Sequence, residues 1–285
     1  FMQRKKFLVS SGLLTTIPFM KFNNARRKEI QCFKKILIEA HRGNSKHAPE
    51  NTLAAFSEAI EIGAHRVELD LRCSADGKLV ILHDETVDRT TNGSGMISVM
   101  DYNYIKKLDA GSWKSSAYKG EKVPLLEEVY ELCRGRTMLN IDLKDICAVP
   151  NLLKITRDMK MEDAVVITGK IPECANKIRK NSGYLPMFYD EGDGIFNQLL
   201  NAGQKTEAMR YAIRQACYYG LQGFLFSIDF VDEEIVHQAH LHGLSVNVWD
   251  VNTPEQVEYI QVCGADALMT DDPGVAKETL FQIIS

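Results

Sequence analysis

Short apolar runs alternate with amphipathic stretches from residue 36 to the C-terminus. The runs at 36–40 (ILIEA), 66–71 (RVELDL), 138–143 (MLNIDL), 164–168 (AVVIT), 184–188 (YLPMF), 222–226 (QGFLF), 244–249 (LSVNVW) and 266–270 (DALMT) read as strands. Helical patterns separate them at 51–62, 125–133, 150–159, 171–180, 206–219, 232–242, 254–262 and 273–283. The runs are short and apolar, as strands covered on both faces are. Regular alternation implies right-handed crossovers and a parallel sheet. Eight strands with eight helices predict an α/β fold of the (β/α)8 TIM-barrel type. An open doubly wound sheet is the alternative, but no GxGxxG or P-loop follows the first run.

One interval breaks the rhythm. About sixty-five residues separate the second and third runs, where a crossover usually takes about thirty. The interval opens with KLVILHDETVDRTTNGSG, which begins as an extra strand and ends in a Gly/Asn-rich loop. An insertion at about 84–122 is therefore expected between strands 2 and 3, above the barrel rim, where long loops commonly carry function.

Composition narrows the field. A chain of 285 residues suits a single barrel, and 34 basic against 38 acidic residues give a net charge of −4, which argues against a nucleic-acid partner. Seven scattered cysteines form no CxxC pair, so neither a zinc site nor a disulfide framework is expected; most read as small buried hydrophobes. The first 35 residues differ from the rest. Arg4, Lys5 and Lys6 precede an apolar stretch of about a dozen residues, the pattern of a signal peptide and short for a membrane span. This segment, 1–35, reads as signal-like, which implies export to a periplasm or the medium. A packed N-terminal helix on a cytoplasmic protein is the alternative. Residues 36–285 form the barrel, and no membrane span is expected in the mature protein.

The candidate chemistry sits at strand ends. Glu68 and Asp70 are two apart on the second strand, which puts both carboxylates on one face. With Val67, Leu69 and Leu71 facing the helices, the acids point into the barrel, where a hard divalent cation relieves their repulsion. Asp142 and Lys144 repeat the spacing on the next barrel strand. Asp142 could complete a three-carboxylate site, and Lys144 could hold a phosphate or simply pair with Asp142. His41-Arg42 follows the first strand and His83 follows the extra one. Two imidazoles near carboxylates, an arginine and a lysine suit proton transfer on a phosphodiester. Pro49-Glu50-Asn51-Thr52 starts a helix, with capping and a role near the metal both open. Trp249 could line a substrate pocket or pack in the core. Asp271 and Asp272 read as capping, His47 as a loop residue, and His65, His237, His240 and His242 as structural residues in or beside helices without matching carboxylates.

The ordered set AHRG…APENTLAAF, VELDL, DGKLVILHDETVDRTTNGSG, LDAGSW…VPLLEEV, NIDLK, NVWDVN and MTDDP, from residue 36 to about 275, resembles the glycerophosphodiester phosphodiesterase family. The resemblance implies a metal-dependent hydrolase of lipid and glycerol metabolism that releases glycerol 3-phosphate and an alcohol from a small-molecule glycerophosphodiester. Carried over, it makes His41 and His83 the general acid/base pair and Glu68, Asp70 and Asp142 the ligands of one divalent cation, Mg2+ or Ca2+. It places Arg42 and Lys144 at the phosphate and Trp249 in the glycerol or leaving-group pocket. Two positions depart from the family pattern: Asp142 stands where Glu is usual, and Asp250 where Thr is commoner. Sphingomyelinase-D-like lyases share the paired histidines and acidic site and give the second expectation. A non-catalytic phosphodiester-binding barrel gives the third.

Overall fold

A computed structural model describes residues 36–182, 185–190 and 194–284; the signal-like segment and Cys32 lie outside them. The chain runs β1 (Leu37–Ala40), α1 (Leu53–Ile62), β2 (Arg66–Cys73), β3 (Leu79–Ile81), α2 (Tyr102–Ile105), α3 (Leu126–Cys133), β4 (Met138–Leu143), α4 (Val149–Asp158) and β5 (Val165–Gly169). It continues through α5 (Ile171–Ser182), β6 (Phe188–Asp190), α6 (Gly194–Asn201), α7 (Lys205–Tyr219), β7 (Gly223–Ser227), α8 (Glu233–Leu241), β8 (Ser245–Trp249), α9 (Pro254–Cys263), β9 (Ala267–Thr270) and α10 (Pro273–Ile284). The strands lie in the order β5-β4-β2-β1-β9-β8-β7-β6, all parallel, with β3 antiparallel on β2. An Ile167–Met187 bridge brings β5 to the chain just before β6, nearly closing a (β/α)8 TIM barrel.

Local sequence explains the element ends. Thr52 caps α1 through Oγ1 on the Ala55 N–H, and Gly63, at φ 96°, turns the chain out of it. Asp232 caps α8, and Thr253 with Gln256 forms a capping box on α9. Two elements differ from the sequence expectation. The sixth barrel strand occupies 188–190 rather than 184–188, because Pro186 has no N–H to give a ladder; its carbonyl instead accepts from the Ile167 N–H at 2.9 Å. The short helix α6 is additional. It buries Phe196, which stacks on Phe226 with centroids 5.6 Å apart.

Strand parity sorts the side chains as expected. Val67, Leu69, Leu71, Leu139, Ile141 and Leu143 join the apolar layer under the helices. Polar side chains at alternate positions of β1, β2, β4 and β5 form a network. Arg66 Nη1 donates to Glu39 Oε2 at 2.8 Å, Asn140 Nδ2 to Glu39 Oε1 at 2.6 Å, and Thr168 Oγ1 to Asn140 Oδ1 at 2.9 Å. β3 and the segment between it and α3 carry their own apolar cluster, including Val80, Val87, Ile97, Ile105 and Leu108. The segment is tied to the barrel by Lys114 Nζ on the Ser45 carbonyl and by Tyr118 Oη on Glu58, both at 2.7 Å. Of the six described cysteines, all free, only Cys133, Cys174 and Cys263 are buried. Cys73 is half-buried, and Cys147 and Cys217 are at the surface, so the expectation that most are core residues holds for half. No helix among the described residues is long and apolar enough to cross a membrane.

The Glu39–Arg66 pair yields a stability prediction. The two residues are 1% and 6% exposed, so removing one partner leaves a buried charge uncompensated. Glu39→Ala or Arg66→Ala is expected to lower unfolding free energy by about 3–5 kcal/mol. The double variant Glu39→Leu/Arg66→Met should lose less than the two single losses combined, as measured by urea denaturation.

Candidate active site

The chain leaves β1 through a tight His41-Arg42-Gly43 turn. Arg42 has φ 55° and Gly43 φ 86°. The left-handed region is open to glycine but costs another residue about 1–3 kcal/mol, a strain that neighbouring contacts must hold. At Gly43 only glycine fits, because a Cβ would lie 2.6 Å from the Ala55 carbonyl carbon. The turn points the Arg42 backbone N–H at Glu68 Oε2, 2.8 Å away. The Arg42 guanidinium reaches Glu50 through Nη1 at 2.8 Å and lies 3.3 Å from Asp70 through Nε.

Glu68, Asp70 and Asp142 offer oxygens that all lie within 4.8 Å of one another. The β2–β4 register sets Asp70 beside Asp142, and both Glu68 and Asp70 are buried. β2 is an interior strand, which excludes a solvated acidic edge. Burial, then repulsion from Asp70 and Asp142, pushes the Glu68 carboxyl up to about 8. Burial likewise raises Asp142, only partly offset by Lys144. Asp70 moves the other way: burial opposes ionisation, but Lys144, Arg42 and an Asn51 hydrogen bond at 2.7 Å hold it below the usual range. Lys144 Nζ sits 2.6 Å from Asp142 and 3.0 Å from Asp70, so the ion pair considered from the sequence is the contact formed. Asp142 Oδ1 is buried without a hydrogen-bond partner. Gly169, at φ 86°, makes room for it, since a Cβ there would stand 2.3 Å from that oxygen. Three convergent carboxylates, one oxygen unpartnered and one carboxyl driven toward neutrality, are a donor set that fits a divalent cation. A cleft of about 400 Å³ opens beside Asp142 and Lys144, lined also by Gly169, Lys170, Glu173 and Asp190.

Both histidines are held through Nδ1. His41 Nδ1 lies 2.8 Å from Asp271 Oδ1 and 3.5 Å from Asp250 Oδ1. Burial disfavours the imidazolium, but the Asp271 hydrogen bond and the Glu68 and Asp250 charges outweigh it and raise His41 to about 9. Asp271 in turn is drawn down to about 2: burial opposes this, and the His41 contact with hydrogen bonds from Ser45 and Asn252 overcomes it. His83 Nδ1 is 2.7 Å from Asp84 Oδ1, and the His83 carbonyl accepts from Arg72 Nε and Nη2 at 2.9 and 2.8 Å. Trp249 stands at the end of β8 with its Nε1 buried and without a hydrogen-bond partner.

The structure thus brings His41, Arg42, Glu68, Asp70, Asp142 and Lys144 into one constellation. The folded chain changes some sequence readings and decides others that were open. Asp271 holds His41 rather than capping; Asp272 does the capping, with Oδ1 on the Val275 N–H at 3.1 Å. Glu50 and Asn51 engage Arg42 and Asp70, while Thr52 alone caps. His240, read as lacking a carboxylate partner, pairs with Asp266 at 2.9 Å, and the loop residue His47 pairs with Asp272 at 3.1 Å, because the folded chain brings in acids distant in sequence. Asp84 carried a signal in the sequence, being adjacent to His83; Asp271 did not stand apart from the Asp272 beside it.

A profile described as the glycerophosphoryl diester phosphodiesterase family matches residues 41–275. A relative from Caldanaerobacter subterraneus subsp. tengcongensis, a glycerophosphodiester phosphodiesterase, is 36% identical over 256 residues, covering 88% of this chain and 98% of the relative. The structure of a glycerophosphodiester phosphodiesterase from Agrobacterium tumefaciens superposes with a TM-score of 0.73 at 27% identity, covering 86% of this chain and 100% of that one. An Oleispira antarctica phosphodiesterase, solved in complex with the product sn-glycerol-3-phosphate, gives a TM-score of 0.74 at 25% identity over 86% of this chain and 96% of its own.

The His41–Asp271 pair has a defined pH signature. The folded state raises His41 from 6.5 to about 9, so its stabilisation is fully present below pH 6.5 and is lost as pH rises through 9. Asp271 is lowered from 3.8 to about 2, so its contribution is present above pH 3.8 and is lost as pH falls through 2. Asp271→Asn should bring the His41 titration, followed by NMR of the metal-free protein, down by at least about one unit. An unchanged midpoint would remove Asp271 as the cause.

Proposed function

This chain belongs to the glycerophosphoryl diester phosphodiesterase family and is an enzyme of that class, and on that premise we propose that it works by metal-dependent, two-histidine acid/base catalysis. Water is added across one P–O bond of a small glycerophosphodiester, giving glycerol 3-phosphate and an alcohol. The observation that carries this reading is the convergence of His41, Arg42, Lys144 and three carboxylates at the ends of adjacent strands. The product held by the Oleispira relative supports the same choice of substrate.

Glu68, Asp70 and Asp142 would hold the cation, and a bound cation would supply positive charge against the phosphoryl oxygens. Asp142 is one methylene shorter than the glutamate expected there, and the space at Gly169 lets its carboxylate enter the cluster nonetheless. Arg42, fixed by Glu50, and Lys144 place positive charge where the phosphate docks. His41 takes the acid role: Asp271 at Nδ1 favours its imidazolium form, leaving Nε2 to give its proton to the departing alkoxide. His83, oriented by Asp84, takes the proton of the nucleophile. That nucleophile is water, giving glycerol 3-phosphate directly, or the glycerol 2-hydroxyl, giving a cyclic phosphate whose P–O2 bond water then opens to glycerol 3-phosphate. Trp249 lines the glycerol or alcohol side of the mouth. The basic-then-apolar start of the chain supports export as the working assignment of location.

The test is release of glycerol 3-phosphate from glycerophosphocholine and glycerophosphoethanolamine with Mg2+, Ca2+ or EDTA. EDTA should suppress it, and His41→Ala and His83→Ala should each lower kcat by about 10²- to 10⁴-fold. Turnover that persists in EDTA would remove the metal from the scheme, and unaffected kcat in both variants would remove the histidines. Independently of turnover, Gly169→Ala should displace Asp142 and weaken divalent-cation binding about 10- to 100-fold by calorimetry.

A further inference from the structure

Arg89 lies in the long segment between β3 and α3 and has no part in the scheme above. Its guanidinium is forked between two carboxylates. Nε and Nη2 donate to Asp84 Oδ2 and Oδ1 at 2.7 and 3.0 Å, while Nη1 and Nη2 donate to Glu50 Oε2 and Oε1 at 2.8 and 2.9 Å. Each of those carboxylates holds one member of the site. Asp84 Oδ1 is 2.7 Å from His83 Nδ1, and Glu50 Oε1 accepts from Arg42 Nη1 at 2.8 Å. An unbroken chain of charge-assisted contacts therefore runs His83–Asp84–Arg89–Glu50–Arg42.

The two ends of this chain belong to different parts of the molecule. Arg42 and Glu50 sit in the β1–α1 connection of the barrel. His83 and Asp84 follow β3 and enter the segment that packs on its own apolar cluster. The Arg89 side chain is 44% exposed, where ion pairs add little to stability. Bidentate geometry at both carboxylates is instead a device of orientation: a planar fork fixes the angle of each partner, which a lysine ammonium cannot do.

We propose that Arg89 is a positioning residue that couples the two halves of the site, setting His83 for proton transfer through Asp84 and Arg42 for the phosphate through Glu50. The inference rests on the reaction assigned above. It adds that the inserted segment is part of the catalytic geometry and not only a cover.

The two arms can be separated. Arg89→Met and Arg89→Lys are expected to melt close to the wild type, to lower kcat at least about 10-fold and to weaken calorimetric binding of glycerol 3-phosphate severalfold, as loss of an orienting partner does. In an Asp84→Asn background the Arg89 substitution should no longer change kcat. In a Glu50→Gln background it should no longer change glycerol 3-phosphate binding. Independent, multiplying effects in both backgrounds would overturn the coupling. Loss of folding in both Arg89 variants, or unchanged kcat and binding, would assign Arg89 to structure alone and also overturn it. A wild type that binds glycerol 3-phosphate without cleaving any glycerophosphodiester would overturn the reaction assigned above, and the binding arm would still decide the Glu50 half.

Discussion

Three carboxylates forced together in a buried barrel mouth are the constraint around which this site is built. Parity puts Glu68 and Asp70 on one face of β2, and register puts Asp142 beside Asp70. Removed from water, the three cannot all ionise unless positive charge is supplied. Lys144 and Arg42 supply part of it, and the high Glu68 pKa of about 8 shows what remains uncompensated. The neighbouring backbone is shaped to the same end. The left-handed turn at Arg42 delivers an N–H to Glu68, and the bare Cα of Gly169 leaves space for the unpartnered oxygen of Asp142.

The rest of the barrel holds this charge in place. On β1, β2, β4 and β5 the interior is polar, and the Glu39–Arg66–Asn140–Thr168 network uses donors and acceptors that would otherwise be buried without partners. Near β6 and β7 the layer under the helices is aromatic: Tyr189, Phe196, Phe224, Phe226 and Phe230 meet in stacked and edge contacts. The three clustered carboxylates lie on β2 and β4, and the inserted segment pairs with the sheet through β3 on β2. Because that segment has its own apolar cluster, it can present His83 from a packed body.

Much of this was legible in the chain. Period-two apolar positions located seven of the eight barrel strands to within a residue or two, since a strand covered on both faces leaves a run that helices do not. The exception, near 184–190, follows from Pro186, which is apolar in pattern but cannot donate to a ladder. The short helix α6 was missed because it spans only Gly194–Asn201, too short a window for helical periodicity to stand out. Within the site, residues whose spacing fixes their direction, such as Glu68, Asp70, Asp142 and Lys144, were legible. Asp271 was not: in sequence it looks like the Asp272 beside it, and its contact with His41 spans 230 positions.

The sequence by itself determined the element order, the inward direction of the acids and the placing of two histidines at strand ends. These depend only on local periodicity and on the parallel alternation that it imposes. Tertiary structure decided which charge meets which. Barrel closure set β9 against β1, so Asp271 rather than Asp272 holds His41. The packing of the inserted segment placed Arg89 between Asp84 and Glu50. Such pairings depend on angles and distances between elements far apart in the chain, and no spacing along one strand or helix encodes them.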